Sequence, residues 1–177
     1  VRERETGREY EEDYDALILS TGASPLKSPI PGIERPNHFV VRDIPDVKKI
    51  IAWSNDCQRC RAVVVGGGYI GLEMAEQLRH RGFEVTVVEA LPQVMTPFDP
   101  EMAAWLHAEL QANGVALHLN DPVVSFEPPS EGQPDRASIV VLKSGQRLRA
   151  DSVVLGLGVK PEVGLAEDAG LEIGKLG

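Results

Sequence analysis

Ala62-Val-Val-Val-Gly-Gly-Gly-Tyr-Ile-Gly71 is the stretch from which the fold can be read. Its first four residues are apolar without alternation, the pattern of a strand buried on both faces in a parallel sheet. Gly66, Gly68 and Gly71 follow at once, in the spacing G-x-G-x-x-G. Each has its own task. Gly66 turns the chain out of the strand, Gly68 lets a pyrophosphate approach bare backbone, and Gly71 lets the next helix pack close to the strand. That helix is expected to run to about Arg81, with Ile70, Met74 and Leu78 spaced by four on one face. Gly82 ends it. Val85 to Val88 is a second strand, and it closes on Glu89. Strand, glycine turn, helix and strand fit within residues 62–89, the span of a βαβ unit.

A helix N-terminus offers unpaired N–H groups and partial positive charge to a phosphate. Set between a buried strand and an amphipathic helix, and followed about 20 residues on by an acid, the glycine pattern is a full dinucleotide fingerprint. Glu89 is expected to accept hydrogen bonds from the 2′-hydroxyl of the adenosine ribose and to repel a 2′-phosphate. No Lys or Arg lies between Ala90 and Pro100 to attract one. The pattern thus predicts NAD(H) rather than NADP(H). Glu73 has two readings: an acid that complements the helix dipole, or one that faces the nicotinamide side of the site.

Beyond Glu89, Asp99-Pro100-Glu101 opens another helix, carrying Met102, Trp105, Leu106 and Leu110. Asn113-Gly114 ends it, and Val115 to Leu119 is a third parallel strand. The chain then turns β-rich: Val123 to Phe126, Ile139 to Leu142, a Ser144-Gly145 turn, Gln146 to Leu148, and Val153 to Leu155. Pro128 to Asp135 reads as a solvent loop. The fold class is therefore α/β, a Rossmann-like parallel sheet with helices and an added antiparallel meander.

On the N-terminal side, Tyr14 to Ser20 reads as a strand after a Thr6-Gly7 turn, and Pro25, Pro29 and Pro31 mark a linker or domain crossing. Asp43 and Pro45 open a short helix that runs to about Trp53. An internal echo links the two ends. A turn, a polar strand, an acid, an apolar strand and Gly22-Ala23-Ser24-Pro25 match the later series that ends in Gly158-Val159-Lys160-Pro161. Each series resembles the close of a nucleotide-binding domain, and only the second has its glycine fingerprint in this chain. The expectation is a piece of a longer protein; a small domain that has lost its initiator methionine is the alternative.

Composition narrows the function classes. Of 177 residues, 42% are hydrophobic and 25% charged, as in ordinary globular proteins, with a formal net charge of −9. Such a balance argues against non-specific binding to nucleic acid or anionic membranes. No apolar run approaches the roughly 18–20 residues of a membrane span. Two cysteines make no disulfide framework, so a reducing cytoplasm is the expected location. Cys57-Gln-Arg-Cys60 is a CxxC pair beside Arg59 and Arg61. Redox and metal-binding roles are open to it, but no His lies nearby in sequence and plain loop cysteines are the preferred reading. No metal is expected.

Leu19-Ser-Thr-Gly-Ala-Ser-Pro25, Val64-Val-Gly-Gly-Gly-Tyr-Ile-Gly-Leu-Glu-Met-Ala-Glu76, Val94-Met-Thr-Pro-Phe-Asp99 and Gly156-Leu-Gly-Val-Lys-Pro161 occur in this order. Together they resemble the FAD-dependent pyridine nucleotide-disulfide oxidoreductases, in the branch of NADH oxidases, coenzyme A-disulfide reductases and NADH peroxidases. The resemblance implies that residues 1–35 and 161–177 belong to an FAD domain, and that residues 36–160 are an inserted NAD(H)-binding domain. It implies NADH contacts at Gly66, Gly68, Tyr69, Ile70, Gly71, Glu89, Phe98 and Gly158, with Phe98 where the family often has Tyr. It implies FAD contacts at Thr21, Gly22, Ala23 and Arg42. Glu73 matches an acid near flavin and nicotinamide. The family's redox cysteine has no counterpart here, so no catalytic residue is expected in the chain itself. The implied parent is a homodimer that passes electrons from NADH through FAD to a disulfide, persulfide, peroxide or oxygen. Thioredoxin reductases also carry a CxxC before their nucleotide fingerprint, but with a longer spacer and a basic 2′-phosphate site. A non-catalytic dinucleotide-binding regulatory module is the rival from a different class.

Overall fold

The computed structural model describes residues 1–55, 60–129 and 136–175. The chain divides into two compact units, one of residues Ser24–Lys160 and one of Val1–Ala23 with the residues from Pro161 onward. The larger unit is built on a five-stranded parallel sheet.

The elements follow the chain as β1 (Ala23–Pro25), β2 (His38–Phe39), α1 (Ile44–Ser54), β3 (Arg61–Val65), α2 (Tyr69–His80) and β4 (Glu84–Val88). Next come α3 (Pro100–Ala112), β5 (Ala116–His118), β6 (Val123–Glu127), β7 (Ser138–Leu142), β8 (Arg147–Ala150), β9 (Ser152–Leu155), β10 (Val159–Pro161) and α4 (Gly164–Asp168). The parallel sheet has the order β2-β9-β3-β4-β5. β3 pairs in register with β4, Ala62 opposite Val85 and Val65 opposite Val88, and with β9, Val63 opposite Val153. β6, β7 and β8 form the antiparallel meander. β1 and β10 pair with each other.

Both faces of the sheet are covered, as the unbroken apolar run of β3 requires. Because side chains alternate along a strand, Ala62 and Val64 enter one core and Val63 and Val65 the other. Ala62 and Val64 pack with Val85, Val87 and Val154, under Ala75 and Leu78 of α2 and Ile50 of α1. Val63 and Val65 join Val88, Val153 and Leu155 against Phe126, Val140, Leu142 and Ala150 of the meander.

Helix ends follow the expected chemistry with one difference. The Asp43 carboxylate accepts from the Asp46 backbone N–H at 3.0 Å and caps α1, with Pro45 in its first turn. Asp99 holds the N-cap position of α3 without a side-chain capping bond. The apolar residues of α3 also diverge from a buried stripe: Met102 and Trp105 are 58% and 78% exposed.

The expected strand at residues 14–20 is not formed. These residues are irregular, and Leu17 and Ile18 are 59% and 88% exposed. The physical reason is that a strand exists only by pairing. Its apolar residues encode a preference for a sheet, and among the described residues no strand edge receives them. The turn before it does form: Arg2 and Glu9 make an antiparallel bridge around Gly7. Three short strands were not anticipated, β1, β2 and β10. Each is only two or three residues long, too short for a periodic pattern to show. Most of the expected Pro128–Asp135 loop lies outside the described residues.

Between the linker and the meander lies a buried polar cluster. The His38 Nδ1–H donates to the Ile33 carbonyl at 2.9 Å, and Nε2 lies 2.9 Å from the Ser138 hydroxyl. Ser138 is also 2.9 Å from Asn37 Oδ1 and accepts from Arg35 Nε. Burial pushes the His38 pKa down to about 4, opposed by the Ile33 carbonyl; Arg35 lowers it further and Glu34 raises it. The folded value thus lies below the unfolded one, near 6.5. The stability this group supports is present above pH 6.5 and is lost as pH falls towards 4. Thermal melts at pH 7 and pH 4.5 are expected to show a drop for the native chain that is smaller for His38→Gln, which has no imidazole to charge. An equal drop in both would refute it.

Candidate nucleotide site

β3 delivers the chain to Gly66 at the C-terminal edge of the sheet, and the Gly66 N–H still donates to the Val88 carbonyl at 2.8 Å. Gly66 then adopts φ 106°, where a Cβ would stand 2.3 Å from the Gly156 carbonyl oxygen. At Gly71 the crowding is greater: a Cβ there would meet the Gly66 carbonyl oxygen at 1.9 Å. These two glycines therefore let α2 begin directly on the end of β3. Gly68 is different, since a Cβ would meet nothing within 4 Å. It is the N-cap of α2 and supplies no side-chain capping bond, and the first turn of α2 carries no acid. The first amides of α2 thus present uncapped donors around an open space, which fits the pyrophosphate of a dinucleotide.

Glu89 stands beside this turn. Its Oε2 accepts from the Gly67 N–H at 2.6 Å, and its Oε1 accepts from the Leu91 N–H at 2.9 Å. A carboxylate oxygen holds two lone pairs, so both oxygens keep capacity for a hydroxyl. The sequence placed this acid at the strand end; its grip on the glycine turn was not legible there.

The segment after Glu89 folds over the glycines. The Met95 N–H donates to the Gly67 carbonyl at 2.8 Å, and a Cβ on Gly67 would lie 2.8 Å from Val94 Cγ1. Val94 is fully buried, and its N–H donates to His107 Nε2 of α3 at 3.1 Å. Phe98 closes the segment, its N–H donating to the Met95 carbonyl. Tyr69, Glu73 and Phe98 line one groove of about 630 Å³ between α2 and α3, floored by Leu72, Leu106 and Leu110. Glu73 is exposed and lies beyond the first turn of α2, past the reach of a dipole-capping acid. Ile70 is half-buried at the start of α2, and Gly158 follows Gly156 by two residues, its carbonyl accepting from the Leu26 N–H.

In the smaller unit, the Thr21 hydroxyl donates to the Glu162 carbonyl, and the Glu162 N–H donates to the Gly22 carbonyl at 2.9 Å. In the larger unit, the Arg42 guanidinium donates to the Ser24 hydroxyl at 2.9 Å. The echo between the two glycine loops is thus visible: the Leu26 N–H donates to Gly158 much as the Glu162 N–H donates to Gly22. Cys60 is buried where β3 begins, with its carbonyl accepting from Glu84, while Cys57 lies outside the described residues. Among the described residues no group of three His, Cys, Asp or Glu is placed to hold a metal, and no helix is long and apolar enough to cross a membrane.

Residues 1–177 match the family model described as pyridine nucleotide-disulphide oxidoreductase. The chain belongs to this family. It is 38% identical over 172 residues to an NADH oxidase of Methanocaldococcus jannaschii, covering 96% of this chain and 37% of that protein. Reduced Bacillus anthracis CoADR-RHD superposes with TM-score 0.84 at 43% identity, over 98% of this chain and 30% of the other. A water-forming NADH oxidase from Lactobacillus brevis, solved bound to NADH, superposes with TM-score 0.80 at 25% identity, over 98% and 37%. The chain thus spans less than half the length of these family members.

The glycine geometry separates two substitutions. Gly71→Ala drives a methyl into the Gly66 carbonyl and is expected to cost about 1–3 kcal/mol or more. Gly68→Ala fills open space and is expected to stay within about 0.5 kcal/mol of the native chain. Urea unfolding of the two variants checks the contrast, and equal destabilisation would contradict it.

Proposed function

We propose that the larger unit binds NADH at the Gly66–Gly71 turn and holds it for hydride transfer to FAD, in an oxidoreductase that reduces a disulfide, persulfide, peroxide or oxygen. The observation that carries this is the uncapped start of α2 at Gly68, with the Glu89 carboxylate fixed beside it. Family membership and the relatives named NADH oxidase support it.

In this reading the amides from Gly68 onward take the pyrophosphate, and Gly66 and Gly71 let that backbone come close. Glu89 accepts from the adenosine ribose hydroxyls. Tyr69, Ile70, Phe98 and Gly158 flank the nucleotide, and Glu73 lies towards the nicotinamide. Thr21, Gly22, Ala23 and Arg42 are assigned to FAD, with residues 1–35 and 161–177 as segments of its domain and residues 36–160 as the NADH domain. Bound FAD supplies acceptance of a hydride. The chain's own part is to orient the nucleotide and keep its phosphates on backbone donors. The assigned FAD contacts are a turn and one arginine. The chain alone is proposed to be inactive. The parent is proposed to be a cytoplasmic homodimer.

Fluorescence titration of the chain is expected to show NADH bound at least about tenfold more tightly than NADPH, a difference of ~1.4 kcal/mol. Equal affinities would overturn the assignment. Glu89→Arg is expected to bring the ratio towards one, because a repulsive partner for a 2′-phosphate becomes an attractive one. The purified chain is expected to show no stoichiometric flavin absorbance; a full flavin band would contradict the domain assignment.

A further inference from the structure

Resting on that reading, the geometry points to His107 as a positioning residue for the nucleotide site, acting through the Val94–Met95 turn on the glycine loop and on Glu89. His107 sits on α3 and lies outside the glycine fingerprint and its acid. Its Nε2 accepts the N–H of Val94, a residue with no exposed surface. An Nε2 that accepts this bond carries no proton, so the imidazole is held as the neutral Nδ1–H tautomer.

The turn that His107 holds is in an unusual state. Met95 adopts φ 49°, a left-handed conformation that an unbranched side chain seldom takes, and it is 4% exposed. Such a conformation persists only where its surroundings fix it. Three bonds do so here: Val94 N–H to His107, Met95 N–H to the Gly67 carbonyl, and Phe98 N–H to the Met95 carbonyl. The same Gly67 donates its own N–H to Glu89 Oε2. Gly67 is therefore gripped on both sides, by the Met95 amide on its carbonyl and by the acid on its nitrogen. Val94 Cγ1 sits where a Gly67 side chain would be. His107, Val94, Met95, Gly67 and Glu89 form one connected series, and its two ends lie on α3 and at the ribose-selecting acid.

Release of the first bond leaves a buried N–H without an acceptor. The Val94–Met95 turn then relaxes, and the carboxylate loses its fixed place relative to the Gly68 amides. The consequence is weaker NADH binding and weaker rejection of NADPH. A side chain that only filled space beneath the loop would affect neither the acceptor nor the ratio.

The test uses the 177-residue chain with His107→Leu and His107→Gln, the second keeping an acceptor oxygen near the place of Nε2. NADH and NADPH affinities are read by fluorescence titration, and amide exchange at Val94, Met95 and Gly67 by NMR. His107→Leu is expected to bind NADH about fivefold to tenfold more weakly, to narrow the NADH-to-NADPH ratio, and to lose protection at all three amides. His107→Gln is expected to recover most of both. Unchanged affinity and protection in His107→Leu would overturn the proposal while leaving the nucleotide site standing. So would a folded His107→Gln as impaired as His107→Leu. If the native chain binds no NADH, the nucleotide reading falls, and this proposal with it. Should His107→Leu fail to fold, His107→Gln against His107→Met carries the same comparison.

Discussion

The distance between Gly71 and the Gly66 carbonyl is the constraint on which the site depends. Any side chain at Gly71 would overlap that oxygen, and one at Gly66 would overlap Gly156. With both glycines in place, the end of β3, the start of α2 and the chain leaving β9 share one point. The amides of α2 therefore open at the edge of the sheet, just past Val65. A start set back by one side chain would move these donors by more than the spread of about 0.5 Å that such bonds tolerate. The close approach is thus a condition of the chemistry as well as of packing.

That point is held rigid by the two-sided burial of β3. Ala62 and Val64 lie under α1 and α2, while Val63 and Val65 lie under the meander. A strand packed on one face can tilt or slip; one packed on both has little freedom, because protein interiors are close to crystal density. The meander contributes none of the residues assigned to the nucleotide. Its role is to bury the face of the sheet that the helices leave open, and so to fix where Gly66 comes out. The polar cluster of His38, Ser138, Asn37 and Arg35 joins the incoming linker to that meander.

The elements legible in the sequence were those whose signals are local. An unbroken valine run, glycines at fixed spacing, a helix with apolar residues four apart and an acid at a strand end each report on a few neighbouring residues. β2 was illegible because two residues carry no period; it is a strand only because β9 offers an edge beside it. The apolar run at residues 14–20 shows the converse, a strong local preference with no edge among the described residues to satisfy it. The Val94–His107 contact was illegible for a related reason. Nothing in Leu106-His107-Ala108 distinguishes a histidine facing a loop amide from one facing solvent, and the partner is in a segment without periodic structure. Fold class was therefore readable, while the second layer of the site, which depends on pairs brought together only by the fold, was not.

For an acidic chain, the proposed binding of an anionic nucleotide meets an electrostatic obstacle. The formal charge is −9, and Glu73, Glu76 and Glu109 line the groove beside the turn. These carboxylates are exposed, so salt screens them, with a Debye length of about 8 Å at physiological ionic strength. The α2 amides act at contact, where no solvent intervenes. No acid occupies the first turn of α2 to compete there. Glu89 is bonded to the turn, and its charge is already shared with the Gly67 and Leu91 N–H groups. Held this way, it can accept a neutral hydroxyl at modest cost. A phosphate in the same place would set two anions against each other within the same few ångströms, with the local donors already engaged. In the proposed reading, selectivity between the two nucleotides follows from where the backbone donors point, and the total charge of the chain contributes little to it.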